Sequence, residues 1–420
     1  MAGSNSGGSV MRVPRATALV GRLQAVIPAC FMSYPVRLVN SREPAGRRPA
    51  SLTIGGGADR HHVLVLCGLV NAGACFVIYL LPGQYMSVVK CIMMQRDETL
   101  LLEPWLRYHG YLFGFDNLYV FDNGSRDPII DKILTRYEMV GVTVVRGLDD
   151  DSDFLNKGSH IGYLISRLDQ IGGYDFAIPL DCDEFLSIFT EDGVSCDRTA
   201  IHRYLDRQTN TNGVLHVGTT LFNVPGRAGW FWPQRGAKRF FYRDTLDVLD
   251  HGFHIAQSRK SQAIIDTPLT HIHFHHKPYE MLLDHSRRKL APYVDVTDPE
   301  ALRAFQGPNC HTVRHLLVAE QDYQSQFDDK VLVRLQPVMD MFAALGIENE
   351  LLAKPVDAPT VGNRGEMVVS SPRLRDQGHR DGLRFRGSLY RNAHSDLLRT
   401  PVMPTQHYLY HGHDEGRAAS

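Results

Sequence analysis

The chain has 420 residues, with 45 Lys and Arg against 46 Asp and Glu and a formal net charge of −1. That length can bury a large core, and the charge balance excludes bulk binding of nucleic acid. Seven scattered cysteines without a C-x-x-C pair exclude a disulfide framework or zinc finger and suit a reducing compartment, the cytoplasm or the cytoplasmic face of a membrane.

Residues 1–60, rich in Gly, Ser, Arg and Pro, are expected to be disordered or an extension outside the folded domain. Residues 63–81 form an apolar run near the length a membrane helix needs, so membrane association competes with a buried helix. The domain is expected over 86–350. It opens with a strand at 86–94, then the polar corner Gln95-Arg96-Asp97-Glu98, then a helix to about 109 with Leu101, Leu102, Trp105, Leu106 and Tyr108 on one apolar face. A second strand, 117–121, runs into Asp122-Asn123-Gly124-Ser125, where the alternative reading is an Asx-type turn. A helix at 128–139 and a strand at 142–145 complete a β-α-β-α-β pattern, which predicts an α/β fold with a mainly parallel central sheet flanked by helices.

Phe176-Ala-Ile-Pro-Leu180 reads as a buried strand leading into Asp181-Cys182-Asp183-Glu184. If that strand persists, Asp181 and Asp183 project to one side. Two carboxylates so close call for a cation, and a divalent ion holding a diphosphate answers that at a strand's carboxyl end. The alternative is an acidic turn capping the next helix. Further on, Thr270-His271-Ile272-His273-Phe274-His275-His276 places His271, His273 and His275 on one face of a strand, a pattern suited to a transition metal. A helix is expected over 278–290, helical pattern at 331–345, and a mobile tail over 355–420.

Gln95-Arg-Asp-Glu98, Glu103-x-Trp105-x-x-Tyr108-His109, Phe121-Asp-Asn-Gly-Ser125 and Asp181-Cys-Asp-Glu-Phe185 together resemble the ordered motifs of bacterial family 2-like glycosyltransferases, and are similar to those of family 92. The resemblance covers residues 86–290. It implies a GT-A fold, a nucleotide-sugar donor, a glycan or lipid-linked acceptor, Mn²⁺ or Mg²⁺, and inverting transfer. Residues Arg96, Glu98, Asp122, Asn123 and Asp181 would then face the nucleotide, although Arg96-Asp97 stands where the family has Lys-Asn. The metal would fall to Asp181, Asp183, His273 and His275. The general base stays open among Glu184, Asp244 and Asp250. Two other classes compete: a metal-dependent hydrolase built on His271–His276, whose spacing resembles the H-x-H-x-D-H motif of metallo-β-lactamase-like enzymes, and a non-catalytic sugar-nucleotide-binding module.

Overall fold

A computed structural model describes residues 36–41, 75–80, 86–347, 367–400 and 402–419. The chain divides into two units, Met1–Tyr85 and Met86–Ser420. In the first, β1 (Val36–Ser41) and β2 (Cys75–Leu80) pair antiparallel. The later part of the apolar run 63–81 is therefore a strand, and no helix among the described residues is long and apolar enough to cross a membrane. The expected membrane-spanning segment is corrected on that ground for the described residues. Residues 63–74 and 81, with the rest of 1–60 apart from β1, lie outside the described residues.

The second unit begins with β3 (Val89–Gln95), α1 (Leu102–Phe113), β4 (Leu118–Asp122), α2 (Pro128–Glu138), β5 (Thr143–Val145), α3 (Lys157–Ile171) and β6 (Phe176–Pro179). Helix α1 buries Leu102, Trp105, Leu106, His109, Leu112 and Phe113, spacings of three and four that make one stripe. Asp127 caps α2 by accepting from the Ile129 amide at 2.9 Å, with Pro128 at the first turn. Strands β5, β4, β3 and β6 pair parallel in that order. They put the Gln95 corner, Asp122 and the end of β6 on one edge, the carboxyl edge.

Beyond β6 the sheet changes character. The chain continues through β7 (Glu184–Phe189), β8 (Val194–Ser195), α4 (Arg198–Arg207), β9 (Val214–Asn223), β10 (Trp230–Tyr242), a separate two-stranded hairpin of β11 (Leu246–Leu249) and β12 (Ala256–Ser258), β13 (Ile264–Asp266), β14 (Leu269–His273) and α5 (Tyr279–Leu290). The order across the sheet is β5-β4-β3-β6-β10-β9-β14-β7-β8. The β6/β10, β10/β9 and β14/β7 pairs are antiparallel. The molecule is thus an α/β fold on a mixed central sheet flanked by helices, which corrects the expectation of a mainly parallel one.

The C-terminal expectations also change. Residues 332–335, inside the expected helix, form β15 (Leu332–Leu335), which pairs with β10. Strand β16 (Met367–Ser370) pairs with β15, and β17 (Leu383–Arg384) with β16. Met367, Val369, Phe385, Tyr390 and Tyr408 are buried. The mobile tail is corrected for these residues: their apolar groups are too dispersed among Gly, Arg and Ser to show as a period, yet they cover the sheet.

Candidate metal centre

The D-x-D is a turn, not a strand. Chain direction reverses between β6 and β7, with the Glu184 amide donating to the Asp181 carbonyl at 3.1 Å. Asp181 and Asp183 consequently point to different partners. Asp181 lies between two buried ammonium groups, Lys157 Nζ at 2.5 Å and Lys238. Burial alone would raise its pKa, but Lys238 and Lys157 outweigh that and hold it at about 2. Both lysines lie over the face of Phe253, at 4.7 and 5.0 Å. Phe253 itself has φ 60, a left-handed conformation costly for a bulky residue.

Asp183 turns instead toward β14. The pairing of β7 with β14 sets Glu184 opposite His273, and the Phe274 amide donates to the Asp183 carbonyl at 2.8 Å. His273 Nε2 is 3.3 Å from Asp183 Oδ2, and its Nδ1 is 3.8 Å from Glu184 Oε1. Burial would lower the His273 pKa, but the Asp183 carboxylate outweighs it and raises it. Burial would likewise raise Asp183, and the imidazoles of His273 and His275 bring it well below the usual carboxylate range.

Two sets of side chains bring potential ligand atoms within 4.8 Å of one another: Asp183, His273, His275 and Glu184, His271, His273. Electrostatics separates them. Glu184 Oε1 already faces Lys238 Nζ at 3.1 Å, while Asp183 makes no ion pair with Lys or Arg among the described residues. A cation in the second set would meet that ammonium. One carboxylate oxygen and two imidazole nitrogens, with His275 exposed to solvent, form a donor set that fits a divalent ion. Asp181, expected among the metal ligands, belongs to neither set.

The expected nucleotide residues sit on the carboxyl edge in different states. Gln95 Nε2 donates to Asp122 Oδ1 at 2.7 Å, and Asp122 is half-buried. Arg96 is exposed. Glu98 faces Lys277 Nζ at 3.4 Å, its pKa raised by burial. Asn123 is a structural tie: it is 1% exposed and donates to the Leu148 carbonyl at 2.6 Å, although its Oδ1 has no partner. Asp97 ties the two corners together, accepting from the Arg126 and Asp127 amides at 2.7 and 2.9 Å.

The three candidate bases sit in different surroundings. Glu184 is 1% exposed and accepts from the Asp181 amide at 2.9 Å on its other oxygen. Asp244 follows Tyr242, which pairs with Phe176 at the opposite end of β6 from Asp181. Asp250 caps its own turn through the Ile255 and Gly252 amides at 2.8 and 3.2 Å. Sequence reasoning missed Lys157 and Lys238. Lys157 carried a signal: it is the first residue of α3, where a cation opposes the helix dipole and needs a carboxylate to hold it.

No protein-family model and no curated protein matches the chain. Among solved structures it is similar to a cytidylyltransferase from Leptospira borgpetersenii, at 14% identity over 31% of this chain and 53% of that one, with a TM-score of 0.21. The chain thus spans about half the length of that enzyme. It is similar to S. aureus TarS in complex with UDP, at 12% identity over 57% and 78% of the two chains and a TM-score of 0.26. For core-mannan synthase A from Aspergillus fumigatus in its Mn/GDP form the values are 10%, 34%, 45% and 0.18.

Proposed function

We propose that the chain is a GT-A-type glycosyltransferase moving a sugar from a nucleoside-diphosphate donor to a hydroxyl of a glycan or lipid-linked acceptor, with Mn²⁺ or Mg²⁺ held by Asp183, His273 and His275. The observation that carries this reading is the approach of His273 to Asp183, 3.3 Å apart although some 90 residues separate them in sequence, beside the carboxyl edge of β3, β4 and β6. The ion, when bound, would supply Lewis-acid charge neutralisation at the leaving diphosphate. Asp122 and the Gln95 corner would hold the nucleoside by hydrogen bonds. Asp181 would act by position, its charge balanced by Lys157 and Lys238 so that the turn carrying Asp183 stays fixed.

The hydrolase alternative loses support in the geometry. His271 faces the sealed Glu184, and His276 packs on Phe327 at 5.1 Å, so the four histidines do not converge. A panel of nucleotide sugars with Mn²⁺, assayed for released nucleotide, tests the proposal. Release that disappears in Asp183→Ala is expected. Silence across the panel together with tight nucleotide binding would make the chain a binding module.

A further inference from the structure

Strand β10 carries a second feature on the face that bears the metal candidates. Trp230 and Trp232 are two residues apart, so they share one face, and both pack against Phe327 and its neighbours. From Trp232 the aromatic surface continues to Phe222, at 6.4 Å, and from Phe222 to His273, at 5.0 Å. At the Trp230 end lies a cavity of about 530 Å³, within the range of small-ligand sites.

The cavity wall is cationic. Arg227, Arg334, Arg375 and Arg380 line it against two carboxylates, Asp328 and Asp381. Arg227 is paired with Asp328, and Arg375 donates to Ser370 Oγ at 3.3 Å. Arg334 has its guanidinium 5.9 Å from the Trp230 ring, and neither it nor Arg380 makes an ion pair among the described residues. Two guanidinium forks therefore remain for an incoming anion, beside an aromatic surface. Arginine is the side chain whose planar fork matches carboxylate and phosphate oxygens.

We infer that this cavity is an acceptor subsite for a negatively charged sugar, one bearing a carboxylate or a phosphate. The saccharide part rests on the glycosyltransferase reading; the anion selectivity rests on the arginines alone. An acidic sugar seated there would lie at one end of an aromatic track, Trp230, Trp232 and Phe222, that leads to His273 at the reacting centre.

Calorimetric titration of the full chain with glucose 6-phosphate, glucuronate, glucose and inorganic phosphate tests this. Binding of at least one acidic sugar is expected, weakening as salt is raised, with no binding of glucose at the same concentrations. Phosphate-only or carboxylate-only binding identifies which acid the acceptor carries. Arg334→Gln and the exposed Arg380→Gln should each weaken that binding by about tenfold and leave UDP binding with Mn²⁺ unchanged. Equal binding of glucose, equal binding of inorganic phosphate, or indifference to both substitutions overturns the inference. If acidic sugars bind while UDP does not, the donor reading fails and the subsite stands.

Discussion

Lys238 Nζ lies 3.1 Å from Glu184 Oε1, with the two residues only 3% and 1% exposed. Removing one partner of so buried a pair strands the other charge, at a cost of about 3–5 kcal/mol. Lys238→Met should therefore lower stability by that order in urea unfolding. The double variant Lys238→Met/Glu184→Gln should cost clearly less than its two parts summed. Simple additivity would mean that the two charges are not coupled.

The metal assignment separates the two aspartates. Asp183→Ala and His275→Ala should each raise the Mn²⁺ concentration at half-saturation by about tenfold or more, since each removes a donor atom. Asp181→Asn should leave that midpoint in place and lower thermal stability, because Lys157 and Lys238 lose their shared carboxylate. A Mn²⁺ titration followed by electron paramagnetic resonance reads the midpoints directly. Equal shifts for Asp181→Asn and Asp183→Ala would return Asp181 to the ligand set.

His109 sets an acid limit. It is fully buried, its Nδ1 donating to the Trp105 carbonyl at 3.0 Å, and burial pushes its pKa down to about 3. The unfolded chain binds a proton there near pH 6.5, so the stabilisation is complete above that pH and is lost as pH falls toward 3. Between pH 7 and 5 this one group should remove about 2 kcal/mol. Denaturant unfolding of His109→Gln should show a loss over the same interval that is smaller by about that amount. An unchanged pH slope would place the acid sensitivity in other groups.

Asp97 has φ 51 and accepts two amides from the neighbouring corner. Asn keeps an acceptor and tolerates the left-handed conformation, so Asp97→Asn should cost under about 1 kcal/mol. Asp97→Ala loses both, and about 2 kcal/mol is expected. Similar midpoints for the two variants would show that the acceptor does not matter there.

Much of the α/β half was legible because its signals are local. The apolar stripe of α1, the start of α2 at residue 128 and the buried run of β6 each declare themselves within a few residues. The face shared by His271 and His273 was legible for the same reason, since the two-residue period of a strand needs no partner. The D-x-D was misread at one point. Whether Asp181 and Asp183 share a side depends on the chain continuing straight, and pairing with β14 makes it turn.

Sequence by itself determined which residues carry charge and imidazole, and that carboxylates follow a buried strand. Tertiary structure alone decided their allegiance. Lys157, Lys238 and His273 lie 24, 57 and 90 residues from the aspartates they meet. No local pattern encodes which carboxylate each will approach, because that depends on strand order and on the burial that makes every charge seek a partner.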